Sequence, residues 1–392
     1  MTMLGDPQAA VATEVAVPVA RFRPIERNNY NPKGLSQLIR GQAPDPNDMT
    51  RRTTGNLWSR SLQRTMKAMT RTAMRAGAKA VTQALRAAPR PPKASAKKPT
   101  PTAPALRAGV TLGVAGARRY HLHQPPSVRR NERLPLLVML HGCGQDANSF
   151  AASTRMNRIA ARGRFLVLYP EQDRLANAQG CWNWYDTTSG RAWGEAALIM
   201  AAIDQVCLLY AADPLRVAVA GLSAGASMAA LLVTRHPARF KAVVMHSGIP
   251  PGTAHSTASA LGAMHGRRAT KPLLATPASM AALWPPLLVI HGGVDRTVSK
   301  GNGQAAVQAW ADAAGARPGT AREVTRGKRH PMTVTDYKHR GRTVGTLVEI
   351  ERLGHAWSGG AAGHAHSDAA GPDASRMVWA FTAKQFGKPP VI

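Results

Sequence analysis

Hydrophobic and polar positions change their rhythm near residue 105. Before it, residues 1–55 scatter Pro, Asn and Arg without a sustained period and predict irregular chain. Asn56–Ala88 is the exception: Trp58, Leu62, Met66, Met69 and Ala73 recur every three or four positions, as one face of a helix does. Val81 and Leu85 resume that register beyond Gly77, and Asn56 is placed to cap the start. Pro89–Pro104 then alternates Pro with Lys, Ala and Thr, the composition of an extended solvated linker and a domain boundary.

Beyond residue 105 the pattern becomes short apolar runs alternating with longer periodic stretches. Gly109–His123 has the alternation and glycines of an opening hairpin. Leu134–Leu140, Phe165–Tyr169, Arg216–Ala220, Ala242–Met245, Leu287–His291 and Thr346–Arg352 read as strands, several apolar enough to be buried on both faces. Ser153–Ala161, Gly194–Tyr210, Ala226–Arg235 and Gln304–Ala314 read as helices between them. Strands and helices alternating at these lengths predict an α/β domain over 105–392, with a mostly parallel central sheet flanked by helices. Active sites of such sheets lie at the carboxyl ends of the strands. Pro250–Pro285 lacks strong periodicity apart from Ser256–His265, and is expected to form a cap beside the cleft.

Composition changes this picture in two places. The 44% hydrophobic content supplies a sizeable core and excludes a wholly disordered chain. The formal charge of +30, of which +13 falls in residues 1–105, makes both parts basic and points to an anionic partner or surface. Arg60, Arg64, Lys67, Arg71, Arg75, Lys79 and Arg86 surround the apolar stripe of the 56–88 helix, as in helices that lie on anionic surfaces. The expected surface is a storage granule or another anionic lipid or polymer face, and not nucleic acid; the alternatives are a helix packed on protein and a basic composition that simply prefers Arg. Ala196–Ala212 is the most apolar stretch, but Asp204 and Gln205 interrupt it, so no transmembrane segment is expected. Asp6 and Glu14 fall where a signal peptide should be uncharged, which favours a cytoplasmic or granule-associated location. Three cysteines make neither a disulfide framework nor a metal-ligand spacing; Cys143 and Cys181 fall in loops near the strand ends, which leaves one disulfide open.

The chemistry centres on Gly221-Leu222-Ser223-Ala224-Gly225, a G-x-S-x-G between a buried strand and a helix. A serine hydroxyl needs a sharp turn to reach a base, and such a turn leaves no room for Cβ atoms beside it. His141–Asp146, at another strand end, has the glycines of an oxyanion loop, with the N–H groups of Cys143 and Ala224 as the expected donors. His141 is expected to orient that loop. Asp295 follows the strand 287–291 and His355 follows the last strand, giving the order Ser223, Asp295, His355 of an α/β-hydrolase triad. Asp336 competes with Asp295, and His364 and His366 with His355, but none of these three directly follows a buried strand. Cys181–Tyr185 is dense in aromatics, and Trp184 and Trp357 are the expected substrate contacts. No metal or organic cofactor is implied.

Six stretches together carry a resemblance: His-Gly-Cys-Gly-Gln-Asp at 141–146, Cys-Trp-Asn-Trp-Tyr at 181–185, and Gly-Leu-Ser-Ala-Gly-Ala-Ser-Met at 221–228. His-Ser-Gly at 246–248, His-Gly-Gly-Val-Asp-Arg-Thr-Val at 291–298 and Gly-His-Ala-Trp-Ser-Gly-Gly at 354–360 complete the set. With these, residues from about 109 to 385 resemble the poly(3-hydroxybutyrate) depolymerase family of esterases, relatives of the feruloyl and acetylxylan esterases. The resemblance implies an α/β-hydrolase fold and a serine esterase acting on hydroxyalkanoate esters, as oligomer or polymer, with Ser223, Asp295 and His355 as triad. A carbohydrate-linked ester is the alternative substrate, and an extracellular location, as for secreted members, the alternative place. A reading from another class makes the chain a binding protein tethered to a granule or nucleic acid through residues 1–104.

Overall fold

In the computed structural model, residues 106–268 and 283–387 are described. The expected 56–88 helix, the 89–104 linker and part of the expected 250–285 cap lie outside the described residues.

The long sheet follows from strands that are apolar at nearly every position, the histidines His246 and His291 falling near the ends of theirs. Strands β3 (Leu134–Leu140), β4 (Leu166–Pro170), β6 (Ala242–His246) and β7 (Leu287–Gly292) are buried throughout. Alternate side chains go to opposite faces. Leu136, Val138 and Leu140 enter one core with Val217, Val219, Val243, Met245 and Val289. Leu137 and Met139 enter the other with Ala218, Ala220, Val244 and Ile290. Such strands need helices on both sides, and an unbroken apolar run is their signature.

Before them come the hairpin strands β1 (Arg107–Gly113) and β2 (Gly116–His123). Between β4 and β6 lies β5 (Ala212–Leu222), and β8 (Arg317–Pro318), β9 (Arg322–Val324), β10 (Met332–His339) and β11 (Arg342–Ile350) follow β7. The order is β1-β2-β4-β3-β5-β6-β7-β11-β10-β8, with β9 also paired to β10. Strands β4, β3, β5, β6, β7 and β11 run parallel, whereas β1, β2 and β8–β10 add antiparallel edges. The parallel centre matches the expected architecture. The edge strands β8–β10 were not legible because they are half exposed and lack the apolar run.

The helix expected over Ser153–Ala161 is two helices, α1 (Ala147–Thr154) and α2 (Met156–Gly163), broken at Arg155 in a left-handed conformation. The helix α3 (Arg191–Leu209) starts three residues ahead of the expected Gly194. By length and hydropathy it is long enough to cross a membrane, yet it docks on β1, β2 and β5 and buries Ala192, Leu198, Ile199 and Ile203 in the core. Helix α4 (Ala224–Arg235) leaves the end of β5; α5 (Thr257–Met264), α6 (Gly301–Ala314) and α7 (Ala374–Phe386) complete the helices among the described residues.

Candidate active site

Ser223 sits where β5 becomes α4, with φ 56° and ψ −122°. A non-glycine residue there costs about 1–3 kcal/mol and persists only where its surroundings hold it. They do. Ser223 N–H donates to the His246 carbonyl at 2.9 Å, and the Ser223 carbonyl accepts Ser227 N–H at 3.0 Å. The flanking glycines let the backbones close in: a Cβ on Gly221 would strike the Gly225 carbonyl, and one on Gly225 would strike the carbonyls of Leu140 and His141. The two glycines therefore bring the serine turn against the loop that ends β3.

That loop is fixed at almost every polar atom. Gly142 N–H donates to Gln145 Oε1 at 2.9 Å, Gly144 N–H to the Gln179 carbonyl at 2.9 Å, and Gln145 N–H to the Gly142 carbonyl at 3.3 Å. His141 is 1% exposed; its Nδ1–H donates to the Gly142 carbonyl, and its Nε2 accepts Gln172 N–H. Burial pushes its pKa down to about 4, so it stays neutral and orients the loop, as expected. Trp182 Nε1–H donates to the His141 carbonyl at 3.0 Å. Cys143 is joined to Cys181 by a disulfide, Cα to Cα 4.3 Å, which settles the pairing left open above. Among the described residues, the N–H groups of Cys143 and Ala224 have no hydrogen-bond acceptor. With the N–H groups of Gly142, Gly144, Gln145 and Asp146 engaged, that of Cys143 is left free, and the first N–H of α4 is free by the geometry of helices.

On the other side of the sheet centre, Gly292 and Gly293 end β7 and allow the chain to turn beneath Glu351–Gly354. Asp295 Oδ1 accepts the N–H groups of Thr297 and Val298, each at 2.9 Å, leaving Oδ2 to accept His355 Nδ1–H at 2.8 Å. Burial pushes the Asp295 carboxyl up, but the His355 hydrogen bond and charge and the Val298 N–H outweigh it, and the net shift is downward. The pair therefore holds an ionised carboxylate on Nδ1 and leaves His355 Nε2 as the basic nitrogen. Among the described residues the Ser223 hydroxyl has no hydrogen-bond partner, so the serine–histidine contact is not preassembled; such contacts often tighten only with substrate bound.

Of the rival residues, Asp336 is in β10, bonded to Thr346 and Arg322, and His364 is exposed. His366 stays beside the pair as a support: its carbonyl accepts Trp357 N–H and its ring is hydrogen-bonded to the main chain of His355. Trp357 corrects an expectation: it is fully buried, its Nε1–H donates to Ser375 Oγ, and it packs edge-on to Phe150, so it supports the base loop from within the core and faces no cleft. Trp184 is 6% exposed and packs edge-on to Tyr185.

Three groups escaped the sequence reading. Glu195 is buried and accepts from Asn183 N–H, Asn183 Nδ2–H and Gln172 Nε2–H, which ties the aromatic loop to α3. His291 is fully buried, and its Nε2–H donates to the Val298 carbonyl, bracing the Asp295 turn. His246, also fully buried, accepts Ser358 N–H at Nε2. The signal was a histidine at the end of β6, just after β3 and one residue before the end of β7, each followed within two residues by glycine. Among the described residues no group of three or more His, Cys, Asp or Glu side chains is disposed to hold a metal ion.

With this geometry in place, likeness to other proteins becomes informative. The family model described as Esterase PHB depolymerase matches residues 118–326, a stretch that includes Cys143, Ser223 and Asp295 and stops before His355. Poly(3-hydroxyalkanoate) depolymerase C of Paucimonas lemoignei is 32% identical over 194 residues, 46% of this chain and 44% of that protein. Feruloyl esterase B of Neurospora crassa is 27% identical over 193 residues, 46% of this chain and 65% of the relative. The chain thus matches about half to two thirds of the length of these relatives. The solved structure of acetyl xylan esterase from Aspergillus awamori superposes with a TM-score of 0.51 at 20% identity, covering 64% of this chain and 94% of that one. That likeness concerns the fold alone, which is the α/β-hydrolase arrangement.

Proposed function

Because this chain belongs to the esterase PHB depolymerase family, we propose that it is a serine esterase that hydrolyses carboxylic esters through Ser223, His355 and Asp295. The observation that carries the reading is the Asp295–His355 pair at 2.8 Å, on the same strand-end edge as a serine held at positive φ.

His355 Nε2 takes the hydroxyl proton as Ser223 Oγ attacks the ester carbonyl. The carbonyl oxygen becomes an oxyanion, which the N–H groups of Cys143 and Ala224 bind; a donor in this role contributes about 10²–10³ in rate. Asp295 keeps the imidazole in its tautomer and stabilises the imidazolium. Collapse expels the alcohol, which leaves with the proton from His355, and an acyl-serine remains. Water then attacks that ester while His355 takes a water proton and returns one to Ser223, releasing the acid.

The proposed substrates are short-chain hydroxyalkanoate esters, as oligomers or polymer, in keeping with the depolymerase relative. A sugar-linked ester is the second reading, favoured by the feruloyl esterase relative. Initial rates of the purified chain on 3-hydroxybutyrate oligomers and on feruloyl and acetyl sugar esters separate the two. No turnover of any ester would defeat both.

We retain the division into a basic extension, 1–104, and a catalytic domain, 105–392, as a proposal. If the extension is an anchor, deleting 1–104 leaves turnover of a small soluble ester unchanged and weakens adsorption to an anionic granule surface. That adsorption falls as salt rises, because salt screens the exposed cations. An unchanged adsorption isotherm would exclude the anchor.

A further inference from the structure

One buried imidazole beside the site has no role in the steps above. His246 closes β6, next to the nucleophile strand, and is fully buried. Its main-chain carbonyl accepts Ser223 N–H at 2.9 Å. Its ring reaches the opposite way: Nε2 accepts Ser358 N–H at 3.1 Å, and the ring stacks on Trp357 with centroids 5.0 Å apart and planes 25° from parallel. Trp357 and Ser358 are the second and third residues after His355. In this tautomer Nδ1 carries the proton and lies 3.2 Å from Ser247 Oγ, to which it donates.

The rest of the base loop is held from the far side. Arg155 donates to the Gly359 carbonyl, Ser358 Oγ–H to the Pro372 carbonyl at 2.7 Å, and Trp357 Nε1–H to Ser375 Oγ at 3.1 Å. These contacts tie the loop to α1, α2 and α7. Leu222 packs in one core with Leu353 and Trp357, and among the described residues His246 is the one whose hydrogen bonds reach both segments, by side chain at the loop and by main chain at the serine turn.

We propose that His246 is a positioning residue that sets the separation of Ser223 and His355 by bridging the serine turn and the base loop. The inference rests on the esterase reading of that site. The bridge needs a lone pair on Nε2, so the ring must stay neutral. Burial pushes its pKa down to about 3; charge on the neighbouring His291 or His355 ring would disfavour a further proton, and the upward pull of Asp295 is weaker. A protonated ring would turn Nε2 into a donor facing the Ser358 N–H.

Packing and bridging are separable by substitution. His246→Phe keeps a ring against Trp357 but orphans Ser358 N–H; His246→Gln loses the ring and keeps an acceptor. Misplacing a reacting group by about 1 Å costs about 10²-fold in rate. On p-nitrophenyl butyrate, His246→Phe is therefore expected to lower kcat about 100-fold with KM within about twofold, and to slow phosphonate labelling of Ser223 in step. His246→Gln is expected to recover at least about tenfold of that loss. A His246→Phe enzyme that is folded and has parental kcat overturns the proposal, as does a folded His246→Gln enzyme no better than His246→Phe. Should both variants fail to fold, nitrogen-15 histidine spectra of the parent decide: the proposal requires His246 to be protonated at Nδ1 and bare at Nε2 at pH 7, and the reverse tautomer refutes it. The esterase reading fails separately, if the parent is inactive or Ser223→Ala keeps its activity.

Discussion

Three side chains at the site behave differently because their surroundings ask different things of them. Ser223 is strained and its hydroxyl unpaired, Asp295 has both oxygens engaged, and His355 has one nitrogen committed and one left over. Ser223→Ala removes one oxygen and no hydrogen bond of the fold, so melting should be unchanged while turnover falls by about 10⁶. His355→Ala should cost about as much, since a nucleophile without its base is no better than none. Asp295→Asn leaves the Thr297 and Val298 N–H bonds available but favours the wrong histidine tautomer, and about 10⁴ in kcat is the expected loss. Rates on a p-nitrophenyl ester, with thermal melts as control, check all three. Parental turnover in Ser223→Ala would move the nucleophile elsewhere, with Ser247 the first rival. At this scale the residue types read at strand ends are ones the structure also places there, Asp295 hydrogen-bonded to His355 and Ser223 at positive φ after β5. The sequence misled for Trp357, because an aromatic near a candidate base reads the same whether it faces a cleft or the core.

Elements tell a second story, about how closely backbones approach. Gly225 closes the Gly221–Gly225 motif, and its missing Cβ is what lets α4 start against the carbonyls of Leu140 and His141. Neither carbonyl is a flexible side chain, so a methyl there must move either α4 or the loop holding Cys143. Gly225→Ala is expected to destabilise by about 1–3 kcal/mol, as overpacking does. Activity should fall further than stability explains, by about 10²-fold, because the two free N–H groups separate. Denaturant midpoints and kcat measured on the same preparation test this; a loss of stability with unchanged kcat would detach the oxyanion geometry from this contact. The motif spacing made this glycine legible. Helix ends were less so: α3 begins at Arg191 because Gly190 takes a left-handed turn, and α1 breaks from α2 at Arg155 by the same device, neither of which has a hydrophobic period.

The sheet of the described residues has a parallel centre with antiparallel margins, and legibility followed that division. Interior strands were readable because burial on both faces makes most of their residues apolar; β8–β10 met no such demand. The same burial sets a response to acid. His123, His141, His246 and His291 are each almost wholly out of solvent. Burial lowers the pKa of all four, to about 4 for His141 and about 3 for His246. An unfolded chain releases these rings to a pKa of about 6.5. Above that value both states are neutral and pH has no effect through these groups. Below it the unfolded state binds more protons than the native state, so stability falls as pH drops from about 6.5 toward the folded values, by about 1.4 kcal/mol per unit for each ring. Asp295 acts in the same direction at lower pH, since its depressed pKa contributes stability that is lost as the carboxylate protonates.

His123 isolates the effect. It is 2% exposed in β2, far along the sheet from the serine strand, and neither ring nitrogen has a hydrogen-bond partner. Replacing an unpaired buried polar group by an apolar one of similar size loses no bond and removes a desolvated pair of nitrogens. His123→Leu is therefore expected to match or exceed the parent at pH 7.5 and to exceed it by a margin that widens as pH falls to 5. The slope of stability against pH should flatten by about the contribution of one ring. Urea midpoints at pH 7.5, 6.0 and 5.0 give the comparison, and kcat on a small ester should not change. Parallel parent and variant curves, displaced by a constant amount, would mean that His123 takes up its proton in the native state as readily as in the unfolded one.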